Sequence, residues 1–176
     1  RKVMQGKMRE AIDAGNKIEE AFWAKRQLVK KINLNSLYGA LLNPGCRFFD
    51  MRIGQSITLT GRTITKHMAA KTNEIITGEY DHQGTGIVYG DTDSVYFTAH
   101  RTLKKEIQQG SIPWTKDSVV SLYDKISDEV NGSFKAFMTK AFHCPATRGE
   151  VIKAGRELVA SKGLFITKKR YAVLYY

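Results

Sequence analysis

Cysteine is scarce in this sequence, and the two that occur, Cys46 and Cys144, lie far apart along the chain. A disulfide framework needs several cysteines at short spacings, and zinc sites are typically built from pairs such as C-x-x-C, which is absent. His143 and Cys144 are neighbours, but two ligands alone do not make a metal site. The scarcity therefore favours an intracellular, reducing environment.

Long apolar runs are missing as well. No stretch approaches the roughly 18 apolar residues that cross a bilayer, and residues 1–5 lack the apolar segment of a secretory signal. We expect a cytoplasmic protein with no membrane partner. Because the chain does not begin with Met and ends within an apolar run at Tyr175 and Tyr176, we expect an internal fragment.

Acidic residues are outnumbered. The 176 residues include 28 Lys and Arg against 17 Asp and Glu, a net charge of +11. Such an excess indicates a polyanionic partner, because neutralising phosphates releases counterions. Charge alone would fit an anionic membrane surface or an unspecialised basic surface equally well. The hydrophobic content of 42% is sufficient for an ordinary core.

Apolar periodicity predicts an α+β fold. We predict four helices, over residues 1–12, 17–41, 55–76 and 116–142, with apolar stripes on the third and fourth. The third stripe comprises Ile57, Ile64, Met68 and Ile75, and the fourth comprises Val119, Tyr123, Ile126, Val130, Phe134, Phe137 and Met138. Apolar runs 87–89 and 95–97 predict a hairpin, residues 101–115 an irregular stretch, and runs 164–166 and 171–174 further strands. Helices and antiparallel strands in separate runs favour α+β over a doubly wound sheet.

The predicted hairpin carries two carboxylates at its tip, Asp91 and Asp93 in Tyr89-Gly-Asp-Thr-Asp-Ser94. Like charges held close together favour a bound cation, and Mg²⁺ prefers oxygen ligands. Two such ions can stabilise the attacking and leaving oxygens of phosphoryl transfer. A solvated, Asp-rich turn is the alternative interpretation of these residues.

A second group lies on one face of the second helix. Gln27, Lys31, Asn35 and Tyr38 are spaced by four, four and three residues, so they share one side of an α-helix. Lys31 suits a triphosphate oxygen, Tyr38 could stack on a base or sugar, and Gly39 permits close approach. An ordinary solvated helix face is the alternative.

A third group is Lys168, Lys169, Arg170 and Tyr171. Basic side chains beside an aromatic one suit a nucleic-acid backbone or minor groove. A strand edge protected by lysines would explain the same residues.

Together these segments resemble the family-B DNA polymerases. Residues 31–39 resemble the fingers motif K-x-x-x-N-S-x-Y-G, residues 89–94 match the palm motif Y-G-D-T-D-S, and residues 168–171 match K-K-R-Y, in the family's order. Residues 1–8 and 48–52 also resemble the replicative polymerases of tailed phages. The resemblance implies a fingers helical hairpin over 1–42 and an incomplete palm over 43–176, with an antiparallel sheet and packed helices.

The resemblance also implies roles at the reaction centre. Asp93 would be the principal carboxylate for two Mg²⁺ ions, Asp91 the supporting one, and Glu150 a further acidic residue near the metals. Lys31 and Arg1 would contact the incoming dNTP. In the phage branch a second basic residue is expected one turn after Arg1, where this chain has Gln5.

The remaining roles concern the substrates. Asn35 and Gln27 would lie beside the triphosphate, and Tyr38 with Gly39 under the nascent base pair. Lys169 would touch the primer terminus from the minor groove. The other primer-strand contacts implied are Lys168, Arg170 and Tyr171.

The family's other metal-binding Asp lies upstream, in a motif ending S-L-Y-P-S that this sequence does not contain. The resemblance therefore implies that primer–template DNA, dNTP and the remaining upstream palm, exonuclease and thumb segments are partners, and that the chain alone is inactive. A catalytically silent nucleic-acid-binding remnant is the alternative function. An RNA polymerase or reverse transcriptase lacks the fingers motif, and a membrane-surface protein would need a strongly basic amphipathic helix.

Overall fold

Two helices at the beginning of the chain form a hairpin. The computed structural model describes residues 1–175, and the chain divides into one unit over Arg1–Leu59 and a second that begins at Thr60. In the first unit, α1 (Lys2–Asp13) and α2 (Lys17–Leu42) pack side by side. Gly15 turns the chain with a φ of +68°, a conformation that glycine adopts at little cost. The Asn16 side chain then caps α2.

One cation–π contact connects these two helices, and another lies within α2. The Lys7 ammonium lies 4.7 Å from the centroid of the Trp23 ring, and Arg26 lies 4.7 Å from that of Phe22. Phe22 and Trp23 meet edge to face. Ala11 is buried in α1, whereas α2 has no buried residue, so little of this hairpin is fully buried.

The third helix, α3 (Met51–Thr77), begins earlier than the predicted Gln55. The Asp50 carboxylate accepts hydrogen bonds from the Arg52 and Ile53 backbone amides, which satisfies amide groups in the first turn. Asp before an apolar run is the signal that would have predicted this start.

The apolar stripe of α3 is buried over only part of its length. Ile64, Met68 and Ile75 pack against the core of the second unit, as predicted. Ile57 is 47% exposed, so its predicted core position is wrong. The first turns of α3 lie in the first unit, where few side chains are buried.

The core of the second unit lies along α5 (Lys116–Phe142). Five of its predicted stripe residues are buried: Val119, Ile126, Val130, Phe134 and Met138. Partly buried side chains pack around the centre of this stripe: Ile64, Met68, Ile75, Ile76, Phe97, Leu122, Tyr123, Ile152 and Ala154. The Thr115 hydroxyl caps the first turn by accepting from the Ser118 amide.

A buried histidine connects α3 to α5. The Ser133 hydroxyl donates to the Val130 carbonyl at 2.6 Å, so at 2.9 Å it accepts from Nε2 of His67. The Tyr80 hydroxyl then donates to Nδ1 of the neutral ring, at 2.7 Å. The ring also stacks on Phe137. Burial lowers the pKa of His67, because desolvation disfavours the charged form.

The described residues complete an α+β fold, as predicted, with two antiparallel hairpins that are separate sheets. The strands are β1 (Ile87–Asp91), β2 (Ser94–Phe97), β3 (Ala160–Thr167) and β4 (Arg170–Tyr175). The stretch predicted as irregular contains a short helix, α4 (Lys104–Gln108), and another, α6 (Ala146–Gly149), follows α5. Among residues 1–175, no helix combines the length and apolar character that a membrane span requires.

Candidate active site

The two carboxylates of the first hairpin lie at its tip. β1 and β2 pair with Asp91 opposite Ser94, which leaves Thr92 and Asp93 as a two-residue turn. Asp93 is exposed, and within residues 1–175 its carboxylate has no hydrogen-bond or ion-pair partner. The strand on each side positions the pair, and the free Asp93 carboxylate can accept a cation.

The Asp91 carboxylate is stabilised in its ionised form. Its Oδ1 accepts from the Thr92 backbone amide at 2.9 Å and from the Thr92 hydroxyl at 3.2 Å. The Lys169 ammonium lies 3.9 Å from Oδ2. The Thr92 amide, and then the nearby charges of Lys169 and Lys168, outweigh desolvation and lower the pKa of Asp91. The carboxylate is therefore charged at neutral pH.

The basic segment forms the turn of the second hairpin. Thr167 pairs with Arg170, so Lys168 and Lys169 connect β3 to β4. Lys169 has a φ of +64°, an uncommon conformation for a residue with a side chain. Its backbone amide donates to the Tyr89 hydroxyl at 2.8 Å, a contact that fixes this turn to the strand carrying Asp91.

Four aromatic side chains, which we call the aromatic cluster, join the two hairpins: Tyr89, Tyr96, Phe165 and Tyr171. Every pair among them has ring centroids 5.3 to 5.8 Å apart, in the range of favourable aromatic contacts. The Tyr96 and Tyr171 hydroxyls are 2.9 Å apart, and this hydrogen bond raises the pKa of Tyr96 to about 12. Side chains thus connect hairpins that share no backbone pairing.

A buried amide holds the loop that leads into β1. Asn73 is 0% exposed; its Nδ2 donates to the Thr77 hydroxyl and the Glu79 carbonyl, and its Oδ1 accepts from the Gly86 amide at 3.0 Å. A Cβ at Gly84 would lie 2.0 Å from Asn73 Nδ2. The amide therefore fixes the path of the chain just before the strand that ends at Asp91.

Glu150 is paired with another side chain. Its carboxylate contacts the Lys135 ammonium at 2.6 Å, and Lys135 lowers its pKa. Within residues 1–175, no group of three or more His, Cys, Asp and Glu side chains could hold a metal ion. Asp91 and Asp93 have the hard oxygen donors that suit Mg²⁺, so they fit part of a metal site. A complete metal site would need at least one carboxylate in addition to Asp91 and Asp93.

The predicted nucleotide contacts in the first unit lie on α2 and beside it. The Arg1 guanidinium donates to Gln27 Oε1 at 3.4 Å, which brings Arg1 to the face that carries Lys31. Lys31 and Asn35 are exposed, and their side chains have no hydrogen-bond or ion-pair partner within the described part of the chain. Both are therefore available to a ligand.

The end of this face is more constrained. Tyr38 is half-buried, and its hydroxyl donates to the Gly54 carbonyl at 3.4 Å. A Cβ at Gly39 would meet no described atom within 4 Å. The packing within the described residues therefore does not require glycine at that position.

Sequence reasoning missed the residues that orient the site: Tyr89, Tyr96, Phe165 and Asn73. Alternation along β1 could have indicated Tyr89, because residues two apart in a strand share a face and Tyr89 is two positions from Asp91. Asn73 carried no signal, because an isolated Asn in a helical pattern is usually exposed.

Comparison with known proteins decides the family. The sequence model of DNA polymerase family B matches residues 1–176. The chain belongs to this family. The recognition predicted from the fingers, palm and K-K-R-Y motifs is thus confirmed.

Individual relatives support the assignment. The chain is 38% identical over 80 residues to the DNA-directed DNA polymerase of Escherichia phage RB69, covering 45% of this chain and 9% of the relative. It is 41% identical over 66 residues to DNA polymerase II of Escherichia coli (strain K12), covering 38% and 7%. It is 29% identical over 178 residues to the DNA polymerase delta catalytic subunit of Oryza sativa subsp. japonica, covering 100% and 13%.

The matches cover only a small part of each relative. The family-B chain spans between 7% and 13% of the length of these three polymerases. No solved structure gives a significant match. The chain is therefore homologous to a small part of DNA-directed DNA polymerases.

Proposed function

We propose that this chain supplies part of the active site of a DNA-directed DNA polymerase, with residues 1–42 as fingers and 43–176 as part of the palm. The observation that carries the proposal is the contact between the Asp91 hairpin and the Lys168–Lys169 turn. A carboxylate for metal binding and a cation for the primer lie within 4 Å of each other. The reaction needs this proximity, because the primer terminus must meet the metals.

Asp91 and Asp93 would hold Mg²⁺ together with the upstream palm Asp of the remaining polymerase, and Glu150 would lie near them. When bound, two Mg²⁺ ions would stabilise the attacking and the leaving oxygens. The low pKa of Asp91 keeps that ligand charged at neutral pH. Exchange of the Lys135 partner would free Glu150 for this role.

The reaction is nucleotidyl transfer. The primer 3′-hydroxyl attacks the α-phosphate of the dNTP, a phosphodiester bond forms, and pyrophosphate leaves. Lys31 and Arg1 neutralise charge on the triphosphate, with Gln27 and Asn35 beside them. The fingers helices close on a correct pair, as lids do in other enzymes.

The base pair and the primer strand use the remaining residues. Tyr38 lies under the nascent pair, where Gly39 leaves room for it. Lys169 contacts the primer terminus, and its neighbours Lys168, Arg170 and Tyr171 position the strand. The fixed Lys169 amide supports this role, because a turn held by Tyr89 presents its side chains in one arrangement.

The partners follow from the same chemistry: primer–template DNA, dNTP and the remaining polymerase segments, in the same or a separate chain. The surplus of positive charge, +11, suits a phosphate backbone. A cytoplasmic location, in the host cell if phage-encoded, follows from the proposed function.

Single-nucleotide primer extension with Mg²⁺ tests the proposal. The chain is assayed alone and in the assembled polymerase, meaning the chain combined with the upstream palm, exonuclease and thumb segments or the parent enzyme in which they are continuous. We expect extension only in the assembled polymerase, loss of it in Asp93→Asn, and no change in Asp81→Asn, an exposed loop carboxylate used as a control. Primer binding without extension in every mixture would favour the silent remnant.

A further inference from the structure

The turn that carries Asp93 is not held by its own backbone conformation. Two-residue hairpin turns usually have positive φ angles, because those turns match the right-handed twist of the strands. In the described residues, the positive φ angles outside glycine belong to His143 and Lys169. Thr92 and Asp93 therefore form a turn whose backbone does not by itself favour the hairpin, and contacts from outside the hairpin must contribute.

One such contact comes from α3. The Thr65 hydroxyl lies 3.0 Å from the Thr92 carbonyl oxygen and can donate to it. The same hydroxyl lies 3.1 Å from the Gly61 carbonyl. The helix pattern already pairs that carbonyl with the Thr65 backbone amide, so Gly61 does not depend on the hydroxyl. The Thr92 carbonyl belongs to a turn residue, outside the strand ladder.

Thr92 is consequently held on both sides. Its amide and hydroxyl donate to Asp91 Oδ1, and its carbonyl accepts from Thr65. The Thr92 carbonyl belongs to the peptide group that leads directly into Asp93. Fixing this peptide plane restricts the directions in which the Asp93 carboxylate can point, although that carboxylate has no partner of its own in the described structure.

We propose that Thr65 is a positioning residue that holds the tip of the carboxylate hairpin and so sets the orientation of Asp91 and Asp93 toward the metal ions. The proposal rests on the function proposed above. It assigns to a half-buried helix residue, which touches neither substrate nor metal, a share in metal binding. Such a site works best when rigid elements support its ligands.

The first test is the Mg²⁺ dependence of primer extension by the assembled polymerase. Thr65→Val keeps the shape but removes the donor, and we expect the half-saturating Mg²⁺ concentration to rise about fivefold, the effect of one lost hydrogen bond. The KM for dNTP should stay unchanged. Thr65→Ser should restore the Mg²⁺ response. Thr58→Val is the matched control, because within residues 1–175 the Thr58 hydroxyl bonds only carbonyls of its own helix, Gly54 and Gln55.

A second readout does not depend on activity. Amide hydrogen exchange of this chain should become faster at residues 92–94 in Thr65→Val and stay unchanged along α5. Unchanged exchange at the tip, or a Mg²⁺ response equal to that of the unsubstituted protein, would overturn the proposal. Faster exchange along α5 as well would mean a general structural role. If even the unsubstituted polymerase fails to extend primers, the proposed function fails, while the exchange at residues 92–94 still decides whether Thr65 holds the tip.

Discussion

The hydrogen bond between Tyr89 and Lys169 allows a sharp test of how the turn at Lys168 and Lys169 is positioned; we call it the primer turn because of its proposed role. Tyr89→Phe keeps the ring in the aromatic cluster and removes only the oxygen that accepts from the Lys169 amide, at 2.8 Å. A left-handed conformation costs a residue with a side chain about 1 kcal/mol. One hydrogen bond contributes about 1 kcal/mol. The two terms are similar, so the bond offsets the cost of the Lys169 conformation.

Without this bond the turn should populate other conformations. Primer affinity falls in proportion to the population that can bind. We therefore expect primer–template binding by the assembled polymerase to weaken about two- to fivefold, the range that about 0.5 to 1 kcal/mol gives. The KM for dNTP should not change. Stability should fall by only about 0.5 kcal/mol, because water can replace the bond to the exposed Lys169 amide.

The assay is fluorescence anisotropy of a labelled primer–template at one fixed salt concentration, because salt strongly changes such affinities. Tyr123→Phe is the matched control: its ring packs on Phe97, and within residues 1–175 its hydroxyl has no hydrogen-bond partner. Equal primer affinity in Tyr89→Phe and the unsubstituted enzyme would refute this reasoning. A larger effect of Tyr123→Phe would refute it as well.

Three further predictions concern the surroundings of the site. Burial lowers the pKa of His67, so the stability that this residue contributes is complete above its unfolded pKa of about 6.5 and is lost as the pH falls below that value. The free energy of unfolding, measured in urea from pH 8 to pH 5, should therefore fall toward acid pH, and it should fall less in His67→Phe. Asn73→Ala should cost about 3 kcal/mol, measured by urea unfolding, because it leaves the buried Gly86 amide without its acceptor. Lys169→Met should raise the pKa of Asp91 only slightly in a carboxyl NMR titration, because the Thr92 amide lowers that pKa most; an Asp91 carboxyl that is neutral at pH 7 would contradict this.

The elements of the fold were predictable where the signal is local. The stripe of α5 repeats at helical spacing, and the five stripe residues from Val119 to Met138 named above are buried. The hairpin around Asp91 follows from two apolar runs beside a polar turn. The prediction for Ile57 was wrong because periodicity shows which face is apolar, and whether anything covers that face depends on distant residues.

The arrangement of the candidate site depends on contacts that sequence spacing does not specify. Tyr96 and Tyr171 are 75 positions apart, and Lys169 is 80 positions from Tyr89. Strand alternation indicates which residues share a face, but not which hairpin packs against which. Thr65 is 27 positions from Thr92 and looks like any other helix threonine. The motifs therefore predict candidate reacting groups, and the structure adds the residues that hold the hairpins carrying them.

The role of Glu150 stays a prediction, and the Mg²⁺ response of two variants can test it. In the described structure it pairs with Lys135. If Glu150 belongs near the metals, Glu150→Gln should weaken the Mg²⁺ response of the assembled polymerase, and Lys135→Met should not. Equal effects of the two substitutions would mean that only the ion pair matters.

Iron-dependent backbone cleavage tests the central claim most directly, since Fe²⁺ can replace Mg²⁺ and cuts the chain where it is bound. The assembled polymerase with primer–template is treated with Fe²⁺, ascorbate and peroxide. We predict cuts at both residues 91–93 and residues 167–170, suppressed by excess Mg²⁺ and absent in Asp93→Asn. Cuts elsewhere, with both segments intact, would contradict the claim that the carboxylate hairpin holds metal beside the primer turn.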